Sequence, residues 1–349
     1  MSLTAPPLPV RPIWKLDLNH GARVVKSTPD AKRVAIALDK PAIFLVNGGP
    51  TSTETISLSE PARHIAINSR GDSLALVTAS QKLQLLGLES GPGQRIVQLD
   101  SSSHDACEFS RDDLKLWTVG LLSDHIAEIV CYDARTLLVI ARHQFTPRVG
   151  GCGFILTNHP REDMTGLWVC GGPDEIWNYW IRLSPARIEL QYQPELDGVT
   201  PPAFNANGER FAALNGYDLS SFYFPSCESL GESISLGTDD SEADMFAESM
   251  SYLSDASTDC VLASTTEGRI FIVSLEQEEL IAEIMLEGHE PKPCYQVYTS
   301  LAKTDDRPCS DLHAFIPAYD NLILSVHTNG HASNRQDTVL LWRVPSVGP

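Results

Sequence analysis

Short runs of apolar and β-branched residues alternate with polar turns along the whole chain, and no long amphipathic helical pattern interrupts them. One phrase recurs: an apolar or small residue, a polar turn of four to six residues, then a β-rich run. Copies begin at Ser27 (STPDAKRVAIA), Ile67 (INSRGDSLALV), Phe109 (FSRDDLKLWTV), Leu156 (LTNHPREDMTGLWVC), Phe204 (FNANGERFAAL), Leu253 (LSDASTDCVLA) and Ile316 (IPAYDNLILSV). Successive copies stand 40, 42, 47, 48, 49 and 63 residues apart. A period of roughly 40 to 50 residues with short strands matches a propeller blade, not a helical solenoid. The turn residues fit tight hairpins, because Pro29-Asp30, Arg70-Gly71-Asp72 and Asn207-Gly208 preset φ or tolerate positive φ.

Further strand-like runs follow each copy, as in Lys82–Leu88 and Arg95–Leu99, Ile126–Tyr132 and Leu137–Ala141, or Arg269–Leu275 and Leu280–Leu286. The seventh unit has only Leu312–Ile316, Leu322–Val326 and Val339–Val344, so Trp14–Leu18 is predicted to supply its missing outer strand. The chain is therefore expected to be all-β: a seven-bladed β-propeller over residues 13–345, its last blade closed by the N-terminal strand. It carries an acidic loop at 238–246 and a long insertion loop at 287–310. Residues 1–12 read as a Pro-rich tail and 346–349 as a C-terminal tail.

Composition narrows the function classes. With 45 acidic against 26 basic residues the net charge is −19, which argues against direct nucleic-acid binding. Apolar residues make up 42% of the 349, too many for a disordered chain, yet no stretch of about 18 uninterrupted apolar residues suggests a membrane span. No basic n-region and apolar h-region open the sequence, and the eight cysteines are dispersed singly. These features predict reduced thiols and a cytoplasmic or nuclear location. The sequence holds no G-x-S-x-G elbow, phosphate loop, dinucleotide fingerprint, H-E-x-x-H or C-x-x-C. No cofactor and no small-molecule ligand are expected.

The phrases STPDAKRVAIA and FSRDDLKLWTV, the strand end Cys131-Tyr132-Asp133-Ala134-Arg135-Thr136 and the pair Gly288-His289 resemble a degenerate WD-repeat propeller, although the Trp-Asp dipeptide itself is absent from every blade. That resemblance implies the fold and leaves function open, since propellers serve as scaffolds, receptors and enzymes. It also implies a role for His104 and His289, each just before an innermost strand, in hydrogen bonding within a blade. Tyr132-Asp133-Ala134-Arg135 further resembles the [Trp/Tyr]-Asp-x-Arg box of substrate receptors for cullin-4 ubiquitin ligases. The likeness assigns Tyr132, Asp133 and Arg135 to contact with a ligase adaptor.

Four features are candidate sites. Between residues 228 and 290 lie 16 acidic residues and one base, Arg269. Their centre, Asp239, Asp240, Glu242, Asp244 and Glu248, is predicted to dock a partner with a basic surface or tail. In the long insertion, His289, Cys294, Cys309 and His313 bring two imidazoles and two thiols, a ligand set suited to tetrahedral zinc. His20, His104, His125, His289 and His331 all fall in predicted rim loops. Pro6-Pro7-Leu8-Pro9-Val10-Arg11 fits the P-x-Φ-P-x-R pattern of Src-homology-3 ligands, and equally a Pro-rich lead-in to the closing strand. The functional expectation is a non-catalytic protein-interaction scaffold. A lactonase-like or hydrolase-like propeller with a site at the channel mouth, and a cullin-type substrate receptor, are the alternatives.

Overall fold

The computed structural model describes residues 6–345 apart from 89–94, 100–102, 148–152, 173–174, 185, 194–202, 216–217, 237–246, 254–258, 266–268, 289–309, 318–320 and 330–335. The fold is all-β: a seven-bladed β-propeller with four-stranded antiparallel blades and no helix among the described residues. Two compact units divide the chain, Arg23–Pro201 and Met1–Ala22 with Pro202–Pro349.

The first unit carries blades one to four. From inner to outer edge, blade one is Ala22–Ser27, Arg33–Leu38, Ala42–Asn47 and Thr53–Ser57, and blade two is Ala62–Ile67, Ser73–Thr78, Lys82–Gly87 and Arg95–Gln98. Blade three is Ser103–Phe109, Lys115–Ser123, Ile126–Asp133 and Val139–Phe145. Blade four is Gly153–Asn158, Thr165–Gly172, Glu175–Ser184 and Arg187–Gln193. The second unit carries blade five (Ala203–Phe204, Arg210–Asn215, Asp218–Tyr223, Ile234–Ser235) and blade six (Ala247–Tyr252, Cys260–Thr265, Ile270–Ser274, Glu279–Leu286). Blade seven is Ser310–Pro317, Leu322–Asn329, Gln336–Arg343 and, from the N-terminal region, Trp14–Asp17.

The recurrent sequence phrase is the hairpin between the first and second strands, and its chemistry repeats. In blades one, two, three and five a short polar residue opens the turn: Thr28, Asn68, Ser110 and Asn205. Its side-chain oxygen accepts the backbone N–H five residues on, at 3.1 Å from Arg33, 3.0 Å from Ser73, 3.0 Å from Lys115 and 3.1 Å from Arg210. Its carbonyl accepts the N–H three residues on, from Ala31, Gly71, Asp113 and Gly208. Those four residues sit at φ of 52°, 73°, 59° and 75°, a region glycine enters without steric cost and Ala31 must be held in. A side chain that replaces a missing backbone partner makes the turn self-contained, which is why it is legible in sequence.

Charged turn residues then tie neighbouring blades together. Arg33 donates to the Gly71 carbonyl, Ser69 to the Asp113 carboxylate, Lys115 to Asp163 at 2.6 Å and Arg210 to Asp259 at 2.5 Å. Behind them the core lies between blades, not inside one. Ala37, Ile43 and Leu45 of blade one pack with Ile65, Leu74 and Leu76 of blade two, and Trp117 and Ile129 of blade three pack with Leu167 and Ile181 of blade four. Phe271 of blade six packs with Leu214 and Leu219 of blade five. A sheet covered on both faces needs apolar side chains at consecutive positions, and Val34–Leu38 and Ile270–Ser274 are buried throughout.

Blade seven closes as the sequence predicts. Trp14, Leu16 and Asp17 pair with Leu341, Val339 and Thr338, and the flanking N–H groups of Ile13 and Leu18 donate to Leu341 and Asp337 at 2.7 and 2.8 Å. The buried Asp337 carboxylate accepts the Ala22 N–H at 2.7 Å, fixing the chain as it leaves the blade. Inside the same blade, Trp342 Nε1–H donates to Ser325 Oγ at 2.9 Å, and His327 Nε2 lies 2.7 Å from that oxygen. All three residues are buried.

The Pro-rich segment also contributes a strand. Leu8–Val10 runs parallel to the outer strand of blade six, with Leu8, Pro9 and Val10 opposite Ile284, Met285 and Leu286.

Candidate functional site

Blades five and six position the acidic sector, and strand direction splits it between two edges. In an antiparallel meander, connections from the first to second and third to fourth strands leave one edge, and all others leave the opposite edge. Glu209 belongs to the first-to-second turn of blade five, Glu228 and Glu232 follow its third strand, and Glu276, Glu278 and Glu279 form the third-to-fourth turn of blade six. All six are exposed. Ser235 and Ala247, which flank the predicted acidic loop, end and begin strands at the opposite edge. Asp239, Asp240, Glu242 and Asp244 lie outside the described residues. Glu248 is in the first strand of blade six, where the register shifts between Ala247 and Ser249.

Contacts decide which of these charges remain uncompensated. Arg269, the single base of the sector, forms a two-point pair with Glu283, Nε to Oε1 at 2.9 Å and Nη2 to Oε2 at 2.8 Å, and stacks over Phe271. Arg210 is held by Asp259, which also accepts the Tyr252 hydroxyl; burial first, and then this acidic neighbour, push that phenol well above its ordinary pKa. Glu278 lies over the neighbouring blade, its Oε1 accepting the Glu232 N–H at 3.2 Å. Two carboxylates 46 residues apart in sequence are thereby brought to one edge. Among the described residues no ion pair reaches Glu209, Glu228, Glu232, Glu276, Glu278 or Glu279.

In blade three, Tyr132 is buried with Leu116, Phe109 and Leu137. Asp133 organises the turn after it, its Oδ1 accepting Arg135 N–H at 3.1 Å, Thr136 N–H at 2.8 Å and the Thr136 hydroxyl at 2.6 Å. Hydrogen bonds from the Thr136 hydroxyl and N–H hold the Asp133 carboxyl below its usual range. Arg135 is exposed, and its carbonyl accepts the Arg95 guanidinium. Of the three residues in the ligase-adaptor box, Arg135 alone projects an exposed side chain.

The innermost strands of blades one to three bring a second set of charges together. Lys26 of blade one reaches past blade two to Glu108 of blade three, Nζ to Oε2 at 2.6 Å. His64 of blade two is half-buried beside them. Burial first, then the positive charges of Lys26, Arg63 and Arg23, pull its pKa down to about 4. Cys107 is buried next to Glu108, and burial pushes its thiol up to about 12, as it does for Cys131. Neither thiol is a nucleophile near neutral pH. Asp39 pairs loosely with Arg23 at 3.8 Å.

His289, Cys294 and Cys309 lie outside the described residues. His313 is in the innermost strand of blade seven, at a register shift between Leu312 and Ala314. Among the described residues no group of three His, Cys, Asp or Glu side chains is placed to hold a metal ion. Cys107, Cys131 and Cys260 are buried free thiols and Cys227 is half-buried. No helix among the described residues is long and apolar enough to cross a membrane. No family model matches the chain, and no curated protein matches it.

Proposed function

We propose that the chain is a non-catalytic interaction propeller, related to the WD-repeat family, that docks a basic protein segment on blades five and six. The observation that carries this reading is the charge imbalance. The unit made of residues 1–22 and 202–349 holds 9 basic and 24 acidic residues, whereas residues 23–201 hold 17 and 21. Arg269 of the acidic sector and Arg210 of blade five are already committed to Glu283 and Asp259, so the exposed glutamates retain their field. Exposed carboxylates on a rigid sheet edge steer a Lys/Arg-rich partner and set its on-rate more than its final affinity.

The test is stopped-flow binding of a Lys/Arg-rich probe peptide across a salt series. Screening confines such forces to about 8 Å at 0.15 M salt, so association is expected to slow as salt rises. One variant neutralises Asp239, Asp240, Glu242 and Asp244 with Asn or Gln; a second neutralises Glu276, Glu278 and Glu279 with Gln. The set whose loss slows association identifies the docking edge. Salt-independent kinetics, with both sets silent, refute the reading.

Arg135 supports a second reading, as a substrate receptor of a cullin-type ligase. Its side chain projects from a turn locked by Asp133. Arg135→Ala is expected to abolish capture of the ligase adaptor without altering the fold, and unchanged capture removes this reading.

A further inference from the structure

Residues 6–11 satisfy two incompatible geometries. As a sequence, Pro6-Pro7-Leu8-Pro9-Val10-Arg11 carries a P-x-Φ-P-x-R ligand, in which Pro6, Leu8 and Pro9 enter the aromatic grooves of a Src-homology-3 domain and Arg11 its acidic pocket. Such a ligand is a polyproline II helix with three residues per turn and a solvated backbone. In the structure the same residues alternate with period two. Leu8 and Val10 face blade six, where Val10 is 8% exposed among Ile270, Ile284 and Leu286, while Pro6, Pro7, Pro9 and Arg11 stand in solvent. Leu8 packs on that cluster and cannot enter a second groove at the same time.

We propose that residues 6–11 are a latent Src-homology-3 ligand, withheld by their own docking as a fifth strand on blade six.

The docking is built to be reversible. It consists of three register pairs and a single deeply buried anchor, Val10. The Glu287 N–H adds one bond to the Val10 carbonyl at 2.9 Å. Parallel β and polyproline II belong to one broad basin of φ and ψ, so exchange requires no barrier crossing through the helical region. Release also stops short of the closing strand. Ile13 N–H is bonded to the Leu341 carbonyl and Trp14–Asp17 is paired in blade seven, so Pro12 is a hinge between a segment that leaves and one that stays. The proposal does not depend on the acidic edge.

The chemistry of the pattern separates the two roles. Val10 is the anchor on blade six and a spacer in the ligand, while Arg11 is a ligand contact and is exposed on blade six. The experiment titrates the Src kinase's Src-homology-3 domain, by its own tryptophan fluorescence, with the full chain, with Val10→Ser and Arg11→Glu chains, and with a peptide of residues 1–13. Sequestration multiplies affinity by the released fraction, so the full chain is expected to bind at least about ten-fold more weakly than the peptide. Val10→Ser should recover most of that difference, and Arg11→Glu should remove binding from chain and peptide alike. Equal affinity of chain and peptide overturns the sequestration, and a peptide that does not bind overturns the ligand. Should the Val10→Ser chain misfold by circular dichroism, the comparison of unaltered chain with peptide still decides.

Discussion

Ser325→Ala isolates the buried polar chain of blade seven. Ser325 and Trp342 are 0% exposed, and the substitution removes one oxygen while leaving volume nearly unchanged. What is lost is the acceptor for Trp342 Nε1–H, 2.9 Å away, and a partner 2.7 Å from His327 Nε2. Removing one partner of a buried hydrogen bond costs about 1–3 kcal/mol, because the donor forfeits water on folding and receives no replacement. Trp342→Phe deletes the donor and leaves a small cavity, at a cost of about 2 kcal/mol or more. Urea unfolding of the two single variants and the double variant supplies the cycle, with the midpoint shift read at constant slope. The expected coupling is about 1 kcal/mol, so Ser325→Ala should cost visibly less when Trp342 is already phenylalanine. Equal cost in both backgrounds would refute the claim that this oxygen serves the indole.

Deleting residues 1–18 is expected to lower the melting temperature strongly or to give aggregates. It bares the edge of Gln336–Arg343 in blade seven and that of Glu279–Leu286 in blade six; unchanged melting would contradict the pairing described above. Gly166→Ala should destabilise by about 1–3 kcal/mol, since an added Cβ lies 2.9 Å from Trp180 Cζ3 and 3.2 Å from Trp168 Cζ2 in a pair of edge-packed indoles; a neutral result in thermal melting would mean the pair yields. His64 has a folded pKa of about 4 against an ordinary 6.5. Between those values the unfolded chain binds more protons, so this contribution to stability is full above about pH 6.5 and is lost as pH falls toward 4. His64→Gln should flatten the stability profile in that window, and an unaltered slope would rule out His64 as its source.

The repeat turns and the blade count were legible without coordinates because their chemistry is local. Thr28, Asn68, Ser110 and Asn205 each satisfy a backbone N–H five residues away, and no distant contact is needed to make the phrase recur. Closure by Trp14–Asp17 followed from arithmetic, since the seventh unit was one strand short. Spatial neighbours were another matter. Counting carboxylates from 228 to 290 could not tell that strand direction puts Glu276–Glu279 on the edge opposite Ser235 and Ala247, or that Glu283 and Asp259 are neutralised by Arg269 and Arg210. Tyr132 reads as part of a surface box, but the alternation of its strand turns it into the core between blades two and three. The parallel pairing of Leu8–Val10 has no turn to announce it, since its partner lies more than 270 residues on. Buried Trp342, Ser325 and His327 likewise meet only when two strands are laid side by side. Sequence fixes what a residue can do within its own hairpin; which charges are left unpaired, and which strand covers which edge, depends on long-range packing that only the fold supplies.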